Sequence, residues 1–335
     1  MRSSGKLDVP ALLAGNRRAL ARALTEVEND SQASRAALDA LFPYSGKAHM
    51  VGVTGSPGTG KSSLVNQMTR LLRNPGAGEP HKVAIVAVDP SSPFTGGAIL
   101  GDRIRMRDIA DDPGVFIRSM ASRGHLGGIA RTTSAMVRVL DAAGFDLILI
   151  ETVGAGQSEV DIARLAHTTI VVEAPGMGDD IQAIKAGILE IADILVVNKA
   201  DHPLADNTVR ALSASLAFAR PDKMAAMESY HHKELAFQPV KPDQAPSEQK
   251  NERWIPPVLK TVSTEGIGIE NVVAAIYAHA EFLRSHQQWH LREAARLQEE
   301  LNELLMAAFA AEWRKQVDQN MIEAVVGEML ARKLS

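Results

Sequence analysis

The sequence predicts an α/β fold: a mainly parallel sheet with helices on both faces, helices before it and a helical arm after it. Three observations carry that expectation. Short, near-continuous apolar runs alternate with helical stretches, which is how strands buried on both faces read. A glycine-rich loop follows the first such run directly. The remaining polar motifs fall at the ends of later runs, and a parallel sheet gathers its ligand loops at the carboxyl ends of its strands.

Residues 1–46 read as a helical cap. Leu7–Asn29 carries Leu12, Leu13, Leu20 and Leu24 at helical spacing, and Ala33–Leu41 reads as a second helix. The sheet domain spans 47–284. Its expected strands are Met50–Val53, Val83–Val88, Val115–Arg118, Leu147–Ile150, Thr168–Val172, Ile194–Val197 and Val258–Val262. Helical stretches at Ser62–Arg73, Arg103–Ile109, Ile129–Ala143 and Ile181–Ile191 separate most of them. Within the domain, 220–257 holds six of the sixteen prolines and many charges, so it reads as a mobile surface loop. Its His231-His232 pair reads as solvent-exposed, because neighbouring histidines do not share a helix face and no partner sits at ligand spacing. Residues 285–335 form a helical arm. Leu301, Leu304, Leu305, Ala308, Phe309, Trp313 and Val317 make an amphipathic stripe that Met321, Val325 and Met329 continue. Such a stripe packs on its own domain or pairs two chains. Its length favours a homodimer.

The first loop, Gly55-Ser56-Pro57-Gly58-Thr59-Gly60-Lys61-Ser62, fits G-x-x-x-x-G-K-[ST] at every fixed position, between a strand and a helix. Gly55, Ser56, Gly58, Thr59, Gly60, Lys61, Ser62 and Ser63 are the expected phosphate cradle, with backbone N–H groups and the helix amino end facing the anion. Lys61 would reach the β/γ oxygens, and Ser62 would bind Mg²⁺. The fold is therefore expected to be that of a phosphate-loop NTPase.

Base choice follows from Asn198-Lys199-Ala200-Asp201 after Ile194–Val197. The Asp201 carboxylate can accept from guanine N1–H and its exocyclic amine. Opposite adenine it would stay unpaired, at about 1–3 kcal/mol. Asn198 can tie this loop to the phosphate loop, and the Lys199 stem can cover the base. Ser263, just past the last strand, is counted with the nucleotide residues. GTP is expected over ATP.

Two strand ends supply carboxylates. Val83–Val88 delivers Asp89, and Leu147–Ile150 delivers Glu151-Thr152-Val153-Gly154, a D-x-x-G switch with Glu in place of Asp. Glu151 can bind Mg²⁺ through water, and the Gly154 N–H can sense the γ-phosphate. Thr95–Arg103 is either a plain connection or a mobile first switch that brings Asp102 near Mg²⁺; the second is the sharper reading. The expected metal residues are Ser62, Asp89, Asp102 and Glu151. Gln157 is the candidate for orienting water, and Lys61, Glu151, Gly154 and Gln157 form the catalytic set.

Composition excludes little but agrees. A net charge of −4 gives no electrostatic case for nucleic acid or an anionic membrane. Zero cysteines remove disulfides and cysteine metal sites. No apolar signal core or spanning run appears, so a cytoplasmic protein is expected.

The phosphate loop, Val88–Ser92, Gly96–Met106, Glu151–Glu159 and Asn198–Asp201, in that order, strongly resemble the methylmalonyl-CoA mutase-associated GTPase family. These are GTPase chaperones of adenosylcobalamin-dependent acyl-CoA mutases, and they carry Glu in the third motif. An older label for similar sequences is lysine/arginine/ornithine transport kinase. The resemblance implies Mg²⁺ and GTP/GDP as bound groups, a mutase as partner, and no cobalamin held by this chain. It also turns Pro175–Lys185, otherwise a glycine-rich strand-to-helix turn, into a third switch in which Asp179, Gln182 and Lys185 couple to the mutase. A transport-linked kinase and a metallochaperone GTPase are the alternatives. The first lacks a kinase catalytic-loop signature, and the second lacks well-spaced Cys or His ligands.

Overall fold

The computed structural model describes residues 7–29, 31–76, 78–90, 106–122, 128–152, 158–176, 189–218, 253–317 and 319–333. Seven strands form one sheet: β1 His49–Thr54, β2 Val83–Pro90, β3 Val115–Ser122, β4 Leu147–Thr152, β5 Thr168–Glu173, β6 Ile194–Asn198 and β7 Val258–Thr261. Their order is β3-β2-β4-β1-β5-β6-β7, and every pairing is parallel. All seven expected strands are present, six of them within a residue or two of the limits read from the sequence; β3 runs on four residues past Arg118 to Ser122, paired with β2 along its whole length, and the expected α/β class holds.

The amino-terminal cap is built from α1 Val9–Leu13, α2 Arg17–Glu28 and α3 Gln32–Leu41. Leu7–Asn29 is thus two helices rather than one helical run. The break falls at Asn16, whose side chain accepts hydrogen bonds from the Arg18 and Ala19 amides and so starts α2 as an N-cap. Further along come α4 Lys61–Arg73, α5 Arg107–Ala110, α6 Gly128–Ala142, α7 Ser158–Leu165, α8 Ala205–Phe218, α9 Ile269–Ser285, α10 Gln288–Gln316 and α11 Gln319–Leu330.

Alternation along the central strands feeds two cores. Met50, Ile148 and Ile150 face Leu140 of α6, Ile162 of α7 and the cap residues Leu20, Leu24 and Val27. Val51, Val53, Leu149 and Ile170 face Leu64, Val65 and Met68 of α4 and Val272 and Ile276 of α9. With both faces covered, the strands read as unbroken apolar runs, and this is why they were recognisable. The cap is part of the first core: Leu24 is fully buried, and truncating such a residue to Ala costs about 2–5 kcal/mol.

Residues 1–295 form one compact unit and 296–335 a second. Trp289, in the first turn of α10, is buried with Ala280 and Leu283 of α9 and belongs to the first unit. In the second unit Leu301, Leu304, Leu305, Phe309, Trp313, Met321, Val325 and Met329 are exposed. Among the described residues, no helix is long and apolar enough to cross a membrane. The proline-rich loop with His231 and His232 lies outside the described residues except at its end, as does most of the expected helix Ile181–Ile191.

Candidate nucleotide-binding site

Four strand ends that are neighbours or near-neighbours in the sheet deliver the site: β1 into the phosphate loop, β4 at Glu151, β6 at Asn198 and β7 at Ser263. The phosphate loop closes on itself. Thr59 Oγ1 donates to the Ser56 carbonyl at 2.9 Å. Lys61 Nζ donates to the Gly55 and Ser56 carbonyls at 2.8 and 2.9 Å, which holds the ammonium at the loop's mouth. Helix α4 begins at Lys61 behind Gly60, which has no side chain to cap it, so its first N–H groups suit an anion. Gly60 sits at φ +93, and a Cβ there would stand 2.3 Å from Asn198 Nδ2. Glycine is required on both counts.

Asn198 joins the two halves of the site. Its Nδ2 donates to the Thr59 carbonyl at 2.8 Å. Its Oδ1 accepts from Thr261 Oγ1 at 3.0 Å, the Ser263 amide at 3.1 Å and Ser263 Oγ at 2.8 Å. One buried amide therefore fixes the phosphate loop, the β6 loop and the β7 loop together. Lys199 follows with φ 57, a left-handed turn uncommon outside glycine, and the Ala200 amide donates to the Thr261 carbonyl at 3.0 Å. Asp201 is exposed, where a base could meet its carboxylate. Thr261 was missed in the sequence; a threonine ending an apolar strand is too common to single out.

On the metal side, Ser62 Oγ donates to Glu151 Oε1 at 2.5 Å, with both residues buried. A hydroxyl and a carboxylate brought together beside the phosphate loop form an oxygen donor set that fits Mg²⁺. Asp89 lies on β2, one residue past Val88, which pairs with Thr152 of β4. Asp102, Gly154, Gln157, Asp179, Gln182 and Lys185 lie outside the described residues.

The opposite, amino edge of the sheet holds a polar cluster that sequence reading did not find. His167 Nδ1 accepts from the Met50 amide at 3.1 Å, so its proton sits on Nε2, 2.6 Å from Glu293 Oε1. His167 stacks on Trp289 with centroids 3.9 Å apart. Thr168 Oγ1 bridges His49 Nε2 at 2.8 Å and His279 Nδ1 at 2.9 Å. His279 Nε2 in turn faces Asp193 Oδ1 at 3.3 Å. Arg292 grips Asp193 with both amino groups, at 2.9 and 3.0 Å, and also donates to the His167 carbonyl.

Burial pushes the His279 imidazole down to about 4, with Arg292 and His167 adding to that against the pull of Asp193. Burial likewise lowers His49 well below the usual range, and His167, His279 and Arg284 lower it further against Asp193. Burial alone would raise the Asp193 carboxyl. Arg292, His279 and the Thr169 amide outweigh it and hold the group ionised below its ordinary range.

A family model described as methylmalonyl-CoA mutase-associated GTPase MeaB matches residues 20–318. A Pyrococcus abyssi protein named as a GTPase is 42% identical over 312 residues, covering 93% of this chain and 87% of the relative. GTPase ArgK of Escherichia coli K12 is 40% identical over 266 residues, covering 78% of this chain and 72% of the relative. The crystal structure of an LAO/AO transport system kinase superposes with a TM-score of 0.61 at 27% identity, covering 98% of this chain and 92% of that one.

Proposed function

The chain belongs to the methylmalonyl-CoA mutase-associated GTPase family and is a phosphate-loop GTP hydrolase, and we propose that it is the chaperone of an adenosylcobalamin-dependent acyl-CoA mutase. The observation that carries the site reading is Asn198, whose amide links the phosphate loop to both base-side loops. A rigid frame of this kind lets occupancy by base and by phosphate be felt as one event.

Hydrolysis of the β–γ bond needs positioning and charge neutralisation rather than covalent chemistry. Ser62 and Glu151 would hold Mg²⁺, and the bound cation would supply positive charge to offset that of the phosphates. Lys61 exchanges its two carbonyl partners for phosphate oxygens. The N–H groups of Gly55–Ser63 cradle the phosphates. Asp201, Lys199 and Ser263 take the guanine side. Asp89 and Asp102 complete the metal side, Gly154 reads the γ-phosphate and Gln157 orients the attacking water.

Asp179, Gln182 and Lys185 are the residues through which the mutase acts. GTP binding and hydrolysis then gate cofactor loading or protection of the mutase, and cobalamin is assigned to the partner. The exposed stripe from Leu301 to Met329 supports self-association into a homodimer.

Phosphate release from GTP is measured with and without the mutase. Turnover is expected to rise at least tenfold, with Lys185→Ala suppressing the rise and leaving GTP affinity within twofold. Tenfold is only about 1.4 kcal/mol of coupling. Turnover indifferent to the mutase would overturn the chaperone reading.

A further inference from the structure

Strand β1 enters the phosphate loop through Thr54, and strand β4 leaves Glu151 through Thr152. The parallel ladder between these two strands is paired from His49 opposite Leu147 to Val53 opposite Glu151. One residue further on, Thr152 Oγ1 donates to Thr54 Oγ1 at 3.0 Å. Both threonines are almost completely buried, at 1% and 0% exposure. The hydroxyl bridge is therefore the next link between the two strands after the ladder, at the place where the phosphate loop and the third motif diverge.

Stability gives no reason for a hydroxyl pair here. The residues before them, Val53 and Ile150-Glu151, continue buried strands, and Val88 lies beside Thr152 on β2. Valine has nearly the same shape as threonine and needs no partner. Replacing both members of a buried hydrogen-bonded pair by apolar groups of the same shape is close to neutral for folding, or stabilising. What valine lacks is direction. A hydrogen bond sets the slide of one strand end against the other, whereas apolar contact tolerates small shifts.

The neighbouring geometry makes that slide matter. Gly55, next after Thr54, has φ +132, and a Cβ there would lie 2.0 Å from the Val172 carbonyl of β5. The root of the phosphate loop is thus pressed onto β5 on one side and bridged to β4 on the other. Glu151, next before Thr152, meets Ser62 at the far end of the same loop. A loop, a helix start and a carboxylate share one closed circuit, and the Thr54–Thr152 bridge closes it.

We propose that Thr54 and Thr152 are positioning residues for GTP hydrolysis, holding the Glu151 carboxylate in register with the phosphate loop. The proposal rests on the GTP hydrolase reading and adds two residues that belong to neither the nucleotide-binding nor the metal set named above. Their contribution is to turnover rather than to affinity, since displacing a catalytic group by a fraction of an ångström is felt most in the transition state.

The test uses the full-length protein with three readouts: phosphate release, GTP affinity by calorimetry and thermal midpoint. The Thr54→Val/Thr152→Val variant is expected to melt no lower than wild type, to bind GTP within twofold, and to lose at least fivefold in kcat. Thr152→Ser, which keeps the hydroxyl, is expected to retain at least half of wild-type kcat. A double variant that turns over like wild type overturns the proposal, as does a loss of kcat matched by a lower melting midpoint. A Thr152→Ser variant as slow as the double valine also overturns it. Should the wild type itself release no phosphate from GTP, the hydrolase reading fails and takes this proposal with it.

Discussion

The two edges of one sheet bury polar groups for opposite purposes. Strands β1 and β6 contribute to both edges, with His49 and Asp193 at or just before their amino ends and the phosphate loop and Asn198 at their carboxyl ends. At the carboxyl edge, Lys61 is held by carbonyls and Ser62 by a carboxylate, bonds that a phosphate or a cation can replace. At the amino edge, Asp193 is gripped by Arg292, faced by His279 and bonded to the Thr169 amide, so the charge is met from several sides within the fold. A buried polar group whose partners are exchangeable suits a ligand. One whose partners are fixed parts of the fold suits architecture, here the docking of the first turns of α10 beneath β5 and β6.

The largest effect expected from that contrast is at the amino edge. Arg292→Met keeps the length of the stem but leaves the Asp193 carboxylate without its bidentate partner in a buried place. Breaking a buried pair from one side costs about 3–5 kcal/mol. Urea unfolding followed by circular dichroism should show a loss of that size, while kcat per folded molecule stays within twofold of wild type. A stable Arg292→Met protein would mean the amino edge is not the anchor described here. A folded but inactive one would mean that the two edges are coupled.

The same contrast explains what was legible in the sequence. The carboxyl edge is written locally: eight consecutive residues spell the phosphate loop, and Asn198–Asp201 spell the base loop, because each motif must wrap a ligand with one short segment. The seven strands were legible for a related reason, since burial on both faces leaves them almost wholly apolar. The amino-edge cluster draws its side chains from five separate stretches between His49 and Glu293, and no spacing rule connects them. His279 sits inside an amphipathic helix, where a lone histidine carries no signal. The helix break at Asn16 escapes the sequence for a related reason. The apolar spacing runs on through Leu7–Asn29, and only the side chain's capping geometry shows that the helix restarts. Thr54 fell between the first expected strand and the phosphate loop, and Thr152 at a variable position of the third motif, and their bridge exists only in three dimensions.

Acid should find the amino edge next. His279 has a folded value of about 4 against an ordinary 6.5, so on acidification the unfolded chain takes up the proton first. Its contribution is then fully present above pH 6.5 and is lost as pH falls from 6.5 towards 4. The loss approaches about 3 kcal/mol, at roughly 1.4 kcal/mol per pH unit. His49 is depressed by burial as well and acts in the same direction, and Asp193 adds a further loss below the ordinary carboxyl range. Urea midpoints at pH 7.5, 6.5, 5.5 and 4.5 should be level across the first two and fall thereafter. Arg292 also depresses His279, so Arg292→Met should show a shallower fall. Midpoints level down to pH 4.5 would contradict the neutral-histidine account.

The smallest of the three effects belongs to the carboxyl edge and is read in activity alone. Lys61→Ala removes the cation at the mouth of the phosphate loop. Two loop carbonyls lose a donor, but the loop's other ties remain: Thr59 to Ser56, and Asn198 to Thr59. Folding should therefore hardly change. Charge building on the β- and γ-phosphate oxygens during hydrolysis loses its direct side-chain cation. Turnover should fall at least tenfold, about 1.4 kcal/mol or more of transition-state stabilisation. Phosphate release measured beside a thermal melt separates the two quantities. A variant with unchanged turnover would remove Lys61 from the mechanism. One that melted far lower would show that the carboxyl edge, too, depends on its polar groups for stability.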